Sequence, residues 1–425
     1  METFLLVLAA AGIALQLLII LLLLFEPGLE YHITEPAEVP AESEEFARML
    51  GALADSLPHS DTRVDVLTNG EIFYKAELAA IREAQSHVCL EAYIFQKGEI
   101  ARHFTEALTE RARAGVKVRL VLDSVGSYKT GKRIFRELIA AGGQVHWYMP
   151  LRWHTIARFN NRTHRELLIV DGKVGFIGGA GIADSWYKSK GERPPWRDTM
   201  FRVEGRAVAS LQSMFAENWL ESSGELLIGA RYYAESKSAG SVAALVINSS
   251  PSFGRSSRAR MVFQTLIAAA QRSIYITTPY FLPDRSARRL LVEAMENRGV
   301  ELKILVPGKR SDHVLTRRSS RRLYGELLQH GAQIYEYLPS MLHTKALVVD
   351  GFWSVIGSTN FDYRSFGLND EVNLAALDEG LAARLEQDFQ MDLAFAHRIS
   401  YAEWHRRSIF ERVNEWLGWI LERQQ

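Results

Sequence analysis

The first hydrophobic pattern in the chain is an apolar run from Phe4 to Phe25, interrupted only by Gln16 and small residues. About 22 residues at a helical rise of ~1.5 Å span roughly 33 Å, enough to cross a bilayer. A signal peptide is the alternative, but no Lys or Arg precedes the run, and Glu26 and Pro27 follow it instead of a small-residue cleavage site. We therefore predict a transmembrane anchor over residues 1–28.

An acidic stretch follows the apolar run. From Glu26 to Glu45 the sequence has seven glutamates and three prolines, which is typical of a solvated spacer. We predict a linker over residues 29–60. No Lys or Arg lies near either end of the apolar run before Arg48, so the positive-inside rule assigns no orientation to the anchor.

From about Val64 the pattern alternates between short β-branched runs and amphipathic stretches, and this order occurs twice. Short sequences recur with it, since Gly115-Val116 returns as Gly299-Val300. Such a repeat predicts a duplicated, layered α/β fold. The predicted strands are 88–95, 116–123, 145–149, 274–280, 300–307 and 334–338. The predicted helices are 77–85, 100–114, 131–141, 261–272, 288–298 and 321–330.

The strongest local pattern is a β-hairpin in each half, centred on Asp171-Gly172 and Asp350-Gly351. A two-residue type I′ turn needs positive φ at both central positions, and Asp-Gly between β-branched runs favours it. If Asp350 and Gly351 alone form the loop, His343 lies opposite Ser358. Side chains alternate along a strand, so Lys345 and Asn360 then share that face. An imidazole beside an ammonium and two neutral donors is suited to attack on a phosphate.

The spacing His343-x-Lys345-x4-Asp350, followed by Gly357-Ser358-x-Asn360, is similar to the HKD motif of the phospholipase D superfamily. With a second copy 179 residues upstream (343 minus 164) and an N-terminal apolar segment, the chain resembles the bacterial cardiolipin synthase branch of that superfamily. The resemblance covers about residues 65–400. It implies two duplicated phospholipase D-like α/β/α domains with a shared active site at their interface, preceded by one transmembrane helix.

The resemblance also implies residue roles and a mechanism. Glu371 is expected to orient His343, and Asp198, in the sequence Trp196-Arg197-Asp198, to orient His164, because an acid fixes the tautomer of a catalytic imidazole. One histidine attacks the phosphodiester and the other protonates the leaving alcohol, with no metal or other cofactor. The expected catalytic positions are His164, Glu166, Asp171, His343, Lys345 and Asp350. The expected phosphate-binding residues are Lys345, Ser358 and Asn360.

The first motif departs from the family pattern, since Glu166 stands where the family has Lys. The predicted register places Gly179 and Gly181 where the second half has Ser358 and Asn360. A carboxylate ~4 Å from a phosphate oxygen costs about 1 kcal/mol in water-like surroundings and roughly 4 kcal/mol at an effective dielectric of 20. Glu166 is therefore expected either to be protonated or to pair with an arginine. The candidate arginines are Arg158, Arg162 and Arg197. The two turn aspartates are interpreted as turn or salt-bridge residues rather than as reacting bases.

Composition narrows the possible partners. Lys and Arg number 50 and so do Asp and Glu, with a pI near 7.2, which argues against a nucleic-acid partner. The single cysteine, Cys89, excludes an internal disulfide and a cysteine-based metal cluster.

Two helical patterns outside the motifs concern lipid. Arg317, Arg318, Arg321 and Arg322 form two i,i+4 pairs on a predicted helix, which suits either anionic headgroups or a solvated face. The C-terminal segment 401–425 is predicted to be an amphipathic helix, either docked on the protein or lying at the membrane interface.

These features predict a first domain over residues 61–235 and a second over 236–400. By the resemblance, the expected function is that of a membrane-anchored phosphatidyltransferase acting on phosphatidylglycerol through a phosphohistidine. Its expected partners are an anionic phospholipid and a bilayer, and its expected location is a single-pass protein of the cell membrane, the inner membrane of a bacterium. The alternatives are a phosphodiesterase hydrolysing lipid or nucleic acid, and a non-catalytic lipid-binding descendant.

Overall fold

A computed structural model describes residues 2–25, 30–35, 37–152, 160–234, 238–250 and 257–420. Within these ranges, the side chains at 2, 17, 19–25, 414 and 416–420 lie outside the description.

The described helices and strands follow the predicted alternation closely. The N-terminal part and first half contain α1 (Glu2–Phe25), α2 (Glu44–Ala54), β1 (Pro58–Thr68), α3 (Gly70–Glu83), β2 (His87–Ala92), α4 (Glu99–Arg113), β3 (Lys117–Asp123), a 3-10 turn (Lys132–Phe135), α5 (Arg136–Ala140), β4 (Gln144–Tyr148), β5 (Arg162–Thr163), β6 (Glu166–Val170), β7 (Val174–Gly178), α6 (Asp184–Tyr187), β8 (Thr199–Glu204) and α7 (Ala207–Ser223). The second half contains β9 (Val242–Ser249), α8 (Arg258–Ala269), β10 (Ser273–Thr277), β11 (Phe281–Leu282), α9 (Arg285–Arg298), β12 (Glu301–Pro307), α10 (Val314–Gln329), β13 (Gln333–Tyr337), β14 (Ala346–Val349), β15 (Trp353–Gly357), β16 (Phe361–Asp362), α11 (Tyr363–Gly367), β17 (Asn369–Leu377), α12 (Glu379–Leu393) and β18 (Ala396–Ile399), followed by α13 (Tyr401–His405) and α14 (Ile409–Ile420).

A single 16-stranded sheet runs through both halves in the order β18-β13-β12-β10-β14-β15-β17-β9-β1-β8-β7-β6-β2-β3-β4, with β5 attached to β17. The strands β8-β7-β6-β2-β3-β4 of the first half reappear as β17-β15-β14-β10-β12-β13 in the second. The predicted duplication in an α/β fold is thus confirmed. The antiparallel pair β1 and β9 joins the two copies at the centre of the sheet.

Helices cover both faces of this sheet. On one face, α3 and α4 cover the strands of the first half through Phe73 and Phe104, while α8 and α9 cover those of the second. On the other face, α7 and α12 share one apolar core, in which Phe215 and Leu385 belong to the same buried cluster as strands from both halves. That shared core fixes the two halves against each other.

Both hairpin turns form as predicted, but the strands pair one residue further along than predicted. Asp350 and Gly351 have φ of 56° and 74°, and the N–H of Phe352 donates to the Val349 carbonyl, which is a type I′ turn. Val349 nevertheless pairs with Trp353, because Phe352 is an extra residue on the returning strand. The first hairpin has the same offset, as the pairing of Glu166 with Gly178 shows. One added residue exchanges the faces of the returning strand, so the predicted pairing of His343 with Ser358 and of His164 with Gly179 is wrong.

The turn aspartates have a structural role. The Asp350 carboxylate accepts backbone N–H groups of Gln271, Arg272 and Ser273 at 2.7–2.8 Å. Asp171 does the same for residues 85–87 at 2.7–2.9 Å. Each carboxylate thus ties its hairpin turn to the start of the neighbouring strand. Neither residue lines the cleft described below, which corrects their assignment as catalytic residues.

The predicted acidic linker over 29–60 is largely ordered structure. Ser43 caps α2 by accepting the N–H of Phe46, and α2 buries Phe46 and Leu50 in the core of the second half. The Trp353 indole N–H donates to the Ala41 carbonyl at 2.7 Å. The glutamates led to the prediction of a solvated linker. Phe46 and Leu50, four positions apart on one face of α2, instead dock this segment on the core.

The two ends of the chain are helical. Among the described residues, no helix is both long and apolar enough to cross a membrane. The anchor expected over residues 1–28 lies partly outside the described side chains and stays a prediction. At the C-terminus, α14 packs against α10, and Arg407 pairs with the buried Glu415 at 2.8 Å. The docked alternative therefore fits the described part of α14, and residues 421–425 lie outside the description.

Candidate active site

Backbone pairing between the halves places both motif histidines. Strand β5 pairs with the start of β17, and the N–H of His164 donates to the Asp370 carbonyl at 2.8 Å. On the other side, the N–H of His343 donates to the Arg197 carbonyl at 2.7 Å. Each histidine therefore begins its own hairpin while its backbone is held by the opposite half.

The acids that orient the histidines are exchanged relative to the prediction. The Nδ1 atom of His343 lies 2.9 Å from Oδ2 of Asp198, and Nδ1 of His164 lies 3.2 Å from Oε2 of Glu371. Each imidazole is thus bound to the acid of the other half, which corrects the assignment of Glu371 to His343 and of Asp198 to His164. The reason is the cross-pairing of the backbones, which brings the strand with Glu371 beside His164.

The surroundings of His343 are buried and aromatic. Its ring centre lies 5.3 Å from that of Trp186 and 5.7 Å from that of Trp196. The Trp186 indole N–H donates to the same Asp198 oxygen at 2.9 Å. Burial first, and then the neighbouring Lys345 charge, lower the pKa of His343 despite the opposing effect of Asp198. The neutral imidazole, with Nδ1–H directed at Asp198, leaves the Nε2 lone pair available for attack.

Lys345 is a buried cation beside the His343 ring. Its Nζ atom donates to the His343 carbonyl at 2.7 Å and lies 2.9 Å from Nδ1 and 3.3 Å from Nε2 of His343. Burial lowers the pKa of Lys345 to about 8, although the carboxylates of Asp198, Glu371 and Asp312 favour the charged form. An ammonium here can contact an oxygen of a phosphate attacked by His343.

Ser358 differs in position from the expectation, whereas Asn360 does not. The Ser358 hydroxyl donates to Oε2 of Glu371 at 2.5 Å, so this side chain positions the acid of His164 and lies away from His343. Asn360 lines the cleft, as expected for a residue that contacts substrate. The one-residue offset of the hairpin accounts for the displacement of Ser358.

Two glycines of the first half are required by close contacts with the motif residues. A Cβ atom at Gly179 would lie 2.7 Å from Nζ of Lys345. One at Gly181 would lie 2.6 Å from the Ile94 carbonyl and 3.0 Å from Oε1 of Glu166. The missing side chain at Gly179 therefore makes room for the lysine of the second half, and the one at Gly181 makes room for Ile94 and Glu166.

Glu166 is buried below the site. Its Oε1 atom accepts the Ile94 N–H at 3.2 Å. The candidate arginines that the structure describes are used elsewhere, since Arg162 pairs with Asp123 and Arg197 with Asp392. Arg158 lies outside the described residues. Burial raises the pKa of Glu166 well above its ordinary value, and this effect exceeds the opposing ones of the Ile94 N–H and the Lys345 charge. The neutral, protonated form is therefore favoured over an arginine pair.

Both histidines line one cleft of about 400 Å³ between the halves. On the His343 side, the Tyr280 hydroxyl donates to Asp312 at 2.8 Å, and the Tyr280 ring lies 5.7 Å from that of His313. On the His164 side, the ring of Tyr93 lies 5.0 Å from the imidazole. Sequence reasoning found no distinct signal for Asp312 and His313, which follow β12 of the second half.

The His164 side also contains Arg364 and Asn369, which sequence reasoning missed. They lie four and nine residues after Asn360, and a search for polar residues just after the second hairpin could have found them. Arg165, beside His164, is fully buried. It pairs with Glu217 of its own half at 2.8 Å and ties the halves together through Asp370 at 3.8 Å.

Two imidazoles on opposite sides of one cleft, each bound to an acid through Nδ1, can act as nucleophile and proton donor toward one phosphorus atom. Among the residues that the structure describes, no group of His, Cys, Asp or Glu side chains is arranged to hold a metal ion. The two histidines thus line a cleft that suits a phosphodiester, with the Lys345 ammonium beside His343.

Comparison with known proteins shows which family the chain resembles. Residues 78–219 and 263–393 match the family model described as cardiolipin synthase, PLD-like domain. The major cardiolipin synthase of Bacillus subtilis is 33% identical over 364 residues, which cover 85% of this chain and 75% of the relative. A cardiolipin synthase of Geobacillus kaustophilus is 34% identical over 359 residues, which cover 84% and 71% of the two chains.

Solved structures share the fold at lower sequence identity. The phosphatidylserine synthase of Haemophilus influenzae superposes with a TM-score of 0.68 at 14% identity, covering 89% of this chain and all of the other. A polyphosphate kinase from Porphyromonas gingivalis gives a TM-score of 0.53 at 13% identity, covering 89% of this chain and 54% of the other. Both similarities concern the fold alone.

The protonation of Glu166 can be tested by substitution. Glu166→Gln reproduces the neutral form, and we expect it to keep kcat/KM within about threefold of wild type. Glu166→Lys should lower kcat/KM at least about tenfold, because a second ammonium would enter a buried pocket that Lys345 already occupies. Steady-state phospholipid turnover measures both effects, and thermal melting controls for folding. A several-fold gain with Lys would contradict the assignment and indicate a decayed first half.

The lowered pKa of Lys345 predicts that activity falls at alkaline pH. Its ammonium is present below its pKa of about 8 and is lost as the pH rises through that value. We expect kcat/KM to fall by about tenfold per pH unit above it, because kcat/KM reports the free enzyme. In Lys345→Arg the guanidinium stays charged, so the alkaline fall should disappear even if the overall rate is lower. An unchanged alkaline limb in that variant would assign the titration to another group.

Proposed function

The chain belongs to the cardiolipin synthase family of phospholipase D-like enzymes, and from this premise we propose that it transfers a phosphatidyl group from phosphatidylglycerol to a lipid hydroxyl through a phosphohistidine. The observation that carries this proposal is the pair of His343–Asp198 and His164–Glu371 contacts facing one cleft. The relatives named as cardiolipin synthases support the choice of lipid over nucleic acid.

We assign His343 as the nucleophile. Its burial and the adjacent Lys345 favour the neutral imidazole, and the same lysine is available to the phosphate oxygens. Attack by Nε2 on phosphorus forms the N–P bond and breaks the bond to the leaving alcohol. Lys345 stabilises the negative charge that develops on the phosphoryl oxygens.

His164 is then the acid and base for the alcohols. It is more exposed than His343, with 13% of its side chain accessible, and it faces the polar residues on the outer side of the cleft. In its protonated form it gives a proton to the leaving alcohol, and in its neutral form it takes one from the incoming alcohol. Glu371 stabilises the cationic form between these steps.

A bilayer partner is part of the same proposal. The expected anchor coincides with helix α1, which runs from Glu2 to Phe25 and exposes Phe4, Leu5, Leu6 and Val7 to solvent by more than half. A membrane would cover these side chains. Anchoring would hold the cleft near lipid substrates, and we infer a single-pass protein of the bacterial inner membrane.

The transfer reaction can be tested with purified protein and phosphatidylglycerol labelled in its phosphate. We expect cardiolipin and glycerol as products, with acid-labile label on His343 after rapid quenching. His343→Ala should lower turnover by at least about a thousandfold, since the covalent step is lost. The exposed His330→Ala, on α10, serves as the matched control. Phosphatidic acid as the sole product would overturn the transferase, label on His164 would overturn the order of the histidines, and residual His343→Ala activity within tenfold of wild type would overturn both.

Removal of residues 1–28 tests the anchor. The truncated protein should melt cooperatively, because the nearest contacts to the core begin later, with Glu30 bound to Arg285 and the Tyr31 N–H bound to Ser286, both at 2.8 Å. It should float with phosphatidylglycerol vesicles much less than the full chain does. Equal flotation of the two proteins would contradict the anchor, and loss of cooperative melting would show that the segment supports the fold.

A further inference from the structure

Arg364 is a guanidinium of the cleft without a carboxylate partner. It is partly buried, and its side chain donates to the side-chain and backbone oxygens of Asn160 at 2.8 and 3.0 Å. Within the described part of the chain, no carboxylate lies within ion-pair distance of it. The neighbouring segment 153–159 contains neither Asp nor Glu. Burial lowers the pKa of Arg364 and outweighs the Asp362 and Asp123 carboxylates, which act on it from beyond ion-pair distance. A desolvated cation without a close carboxylate favours the arrival of an anion.

The other arginines near the motif histidines each have a carboxylate partner. Arg162 lies 3.5 Å from Asp123, Arg165 lies 2.8 Å from Glu217, and Arg197 lies 2.9 Å from Asp392. These three are neutralised within the protein and act as structural ties. Arg364 alone among these four keeps its charge available to the cleft.

Two amide oxygens of the cleft also lack hydrogen-bond partners among the described residues. The Oδ1 atoms of Asn360 and Asn369 are buried without a hydrogen bond to any described residue, and both side chains line the cleft. The two residues are only 3% and 5% exposed. Buried polar atoms are normally hydrogen-bonded, so these oxygens are suited to accept hydroxyl groups of a bound ligand.

We propose that Asn360, Asn369 and Arg364 form the acceptor subsite, which binds a glycerophosphate headgroup with a free hydroxyl. The amide oxygens accept the glycerol hydroxyls, and the guanidinium binds the phosphate one glycerol away from the reacting hydroxyl. This inference rests on the proposed transferase function and adds the residues that select an anionic lipid over water or a neutral alcohol.

The position of Arg364 fits the second phosphate better than the reacting one. The reacting phosphorus must lie within bonding reach of His343, where Lys345 supplies the cation. Arg364 lies on the His164 side, where its charge lowers the pKa of Tyr93 against the larger, raising effect of burial. The leaving glycerol of the donor carries no phosphate, so Arg364 has an anion to bind only when the acceptor arrives.

In the transfer step, one bond to phosphorus forms as another breaks. The primary hydroxyl of the acceptor loses its proton to Nε2 of His164 while its oxygen forms a bond to phosphorus. The N–P bond to His343 breaks, and its electron pair returns to the imidazole. Arg364 takes no part in bond exchange and acts as a specificity-determining residue.

Competition between soluble acceptors tests this subsite. Full-length protein receives phosphatidylglycerol as donor together with equal concentrations of deuterated glycerol and glycerol phosphate, and mass spectrometry counts the deuterated phosphatidylglycerol against the phosphatidylglycerol phosphate that forms. Wild type should prefer glycerol phosphate by at least about tenfold. Arg364→Gln should reduce that preference to about one and increase the share of phosphatidic acid, while single-turnover formation of the phosphohistidine changes by less than about twofold. Arg364→Lys should restore part of the preference.

Arg136→Gln, on the exposed surface of α5, is the matched control for loss of one positive charge. An unchanged preference in Arg364→Gln would overturn the subsite. An equal loss of phosphohistidine formation would also overturn it, by placing Arg364 on the reacting phosphate. If wild type labels His343 but yields only phosphatidic acid with every acceptor, the transferase proposal itself fails. Should Arg364→Gln lose its melting transition, Arg364→Lys decides, because an unchanged preference and affinity for glycerol phosphate in a folded Lys variant would argue against guanidinium recognition.

Discussion

The active site depends on an exchange of hydrogen bonds between the halves, in which each motif histidine is bound to the acid of the opposite copy. An imidazole with its Nδ1 proton held by a buried carboxylate has one tautomer and one ring orientation. Because the acids come from the opposite half, neither copy contains a complete histidine–acid pair. The shared apolar core of α7 and α12 and the continuous sheet are what hold these contacts at hydrogen-bonding distance.

The sequence predicted the fold well, because its signals are local. Apolar periodicity located most helices and strands, and the Asp-Gly pairs located both turns. The errors have non-local causes. One extra residue after each turn, Phe352 or Lys173, shifts the hairpin register. Neither residue type indicates such an insertion in the sequence. The assignment of acids to histidines failed because it assumed that motifs near in sequence are near in space, whereas the backbones of the two halves cross.

Burial determines the electrostatics of the altered first motif. Loss of the expected lysine suggested a missing charge, yet Gly179 leaves the space that the Lys345 ammonium approaches, and burial raises the pKa of Glu166 below it. The two motifs therefore share one lysine, which lies beside His343. In the mechanism that we propose, this asymmetry separates a covalent side, with His343 and Lys345, from an alcohol side, with His164, Asn369 and Arg364.

The position of helix α2 affects how the chain folds during its synthesis. It precedes the first half in the chain but packs on the second, where Phe46 lies 6.1 Å from Trp353 between ring centres. A ribosome releases Phe46 long before Trp353, so the helix must wait for its partner while the first half is being made. The nascent segment beside the expected anchor would then stay exposed until nearly the whole polypeptide has emerged, which makes it a natural place for a chaperone to act.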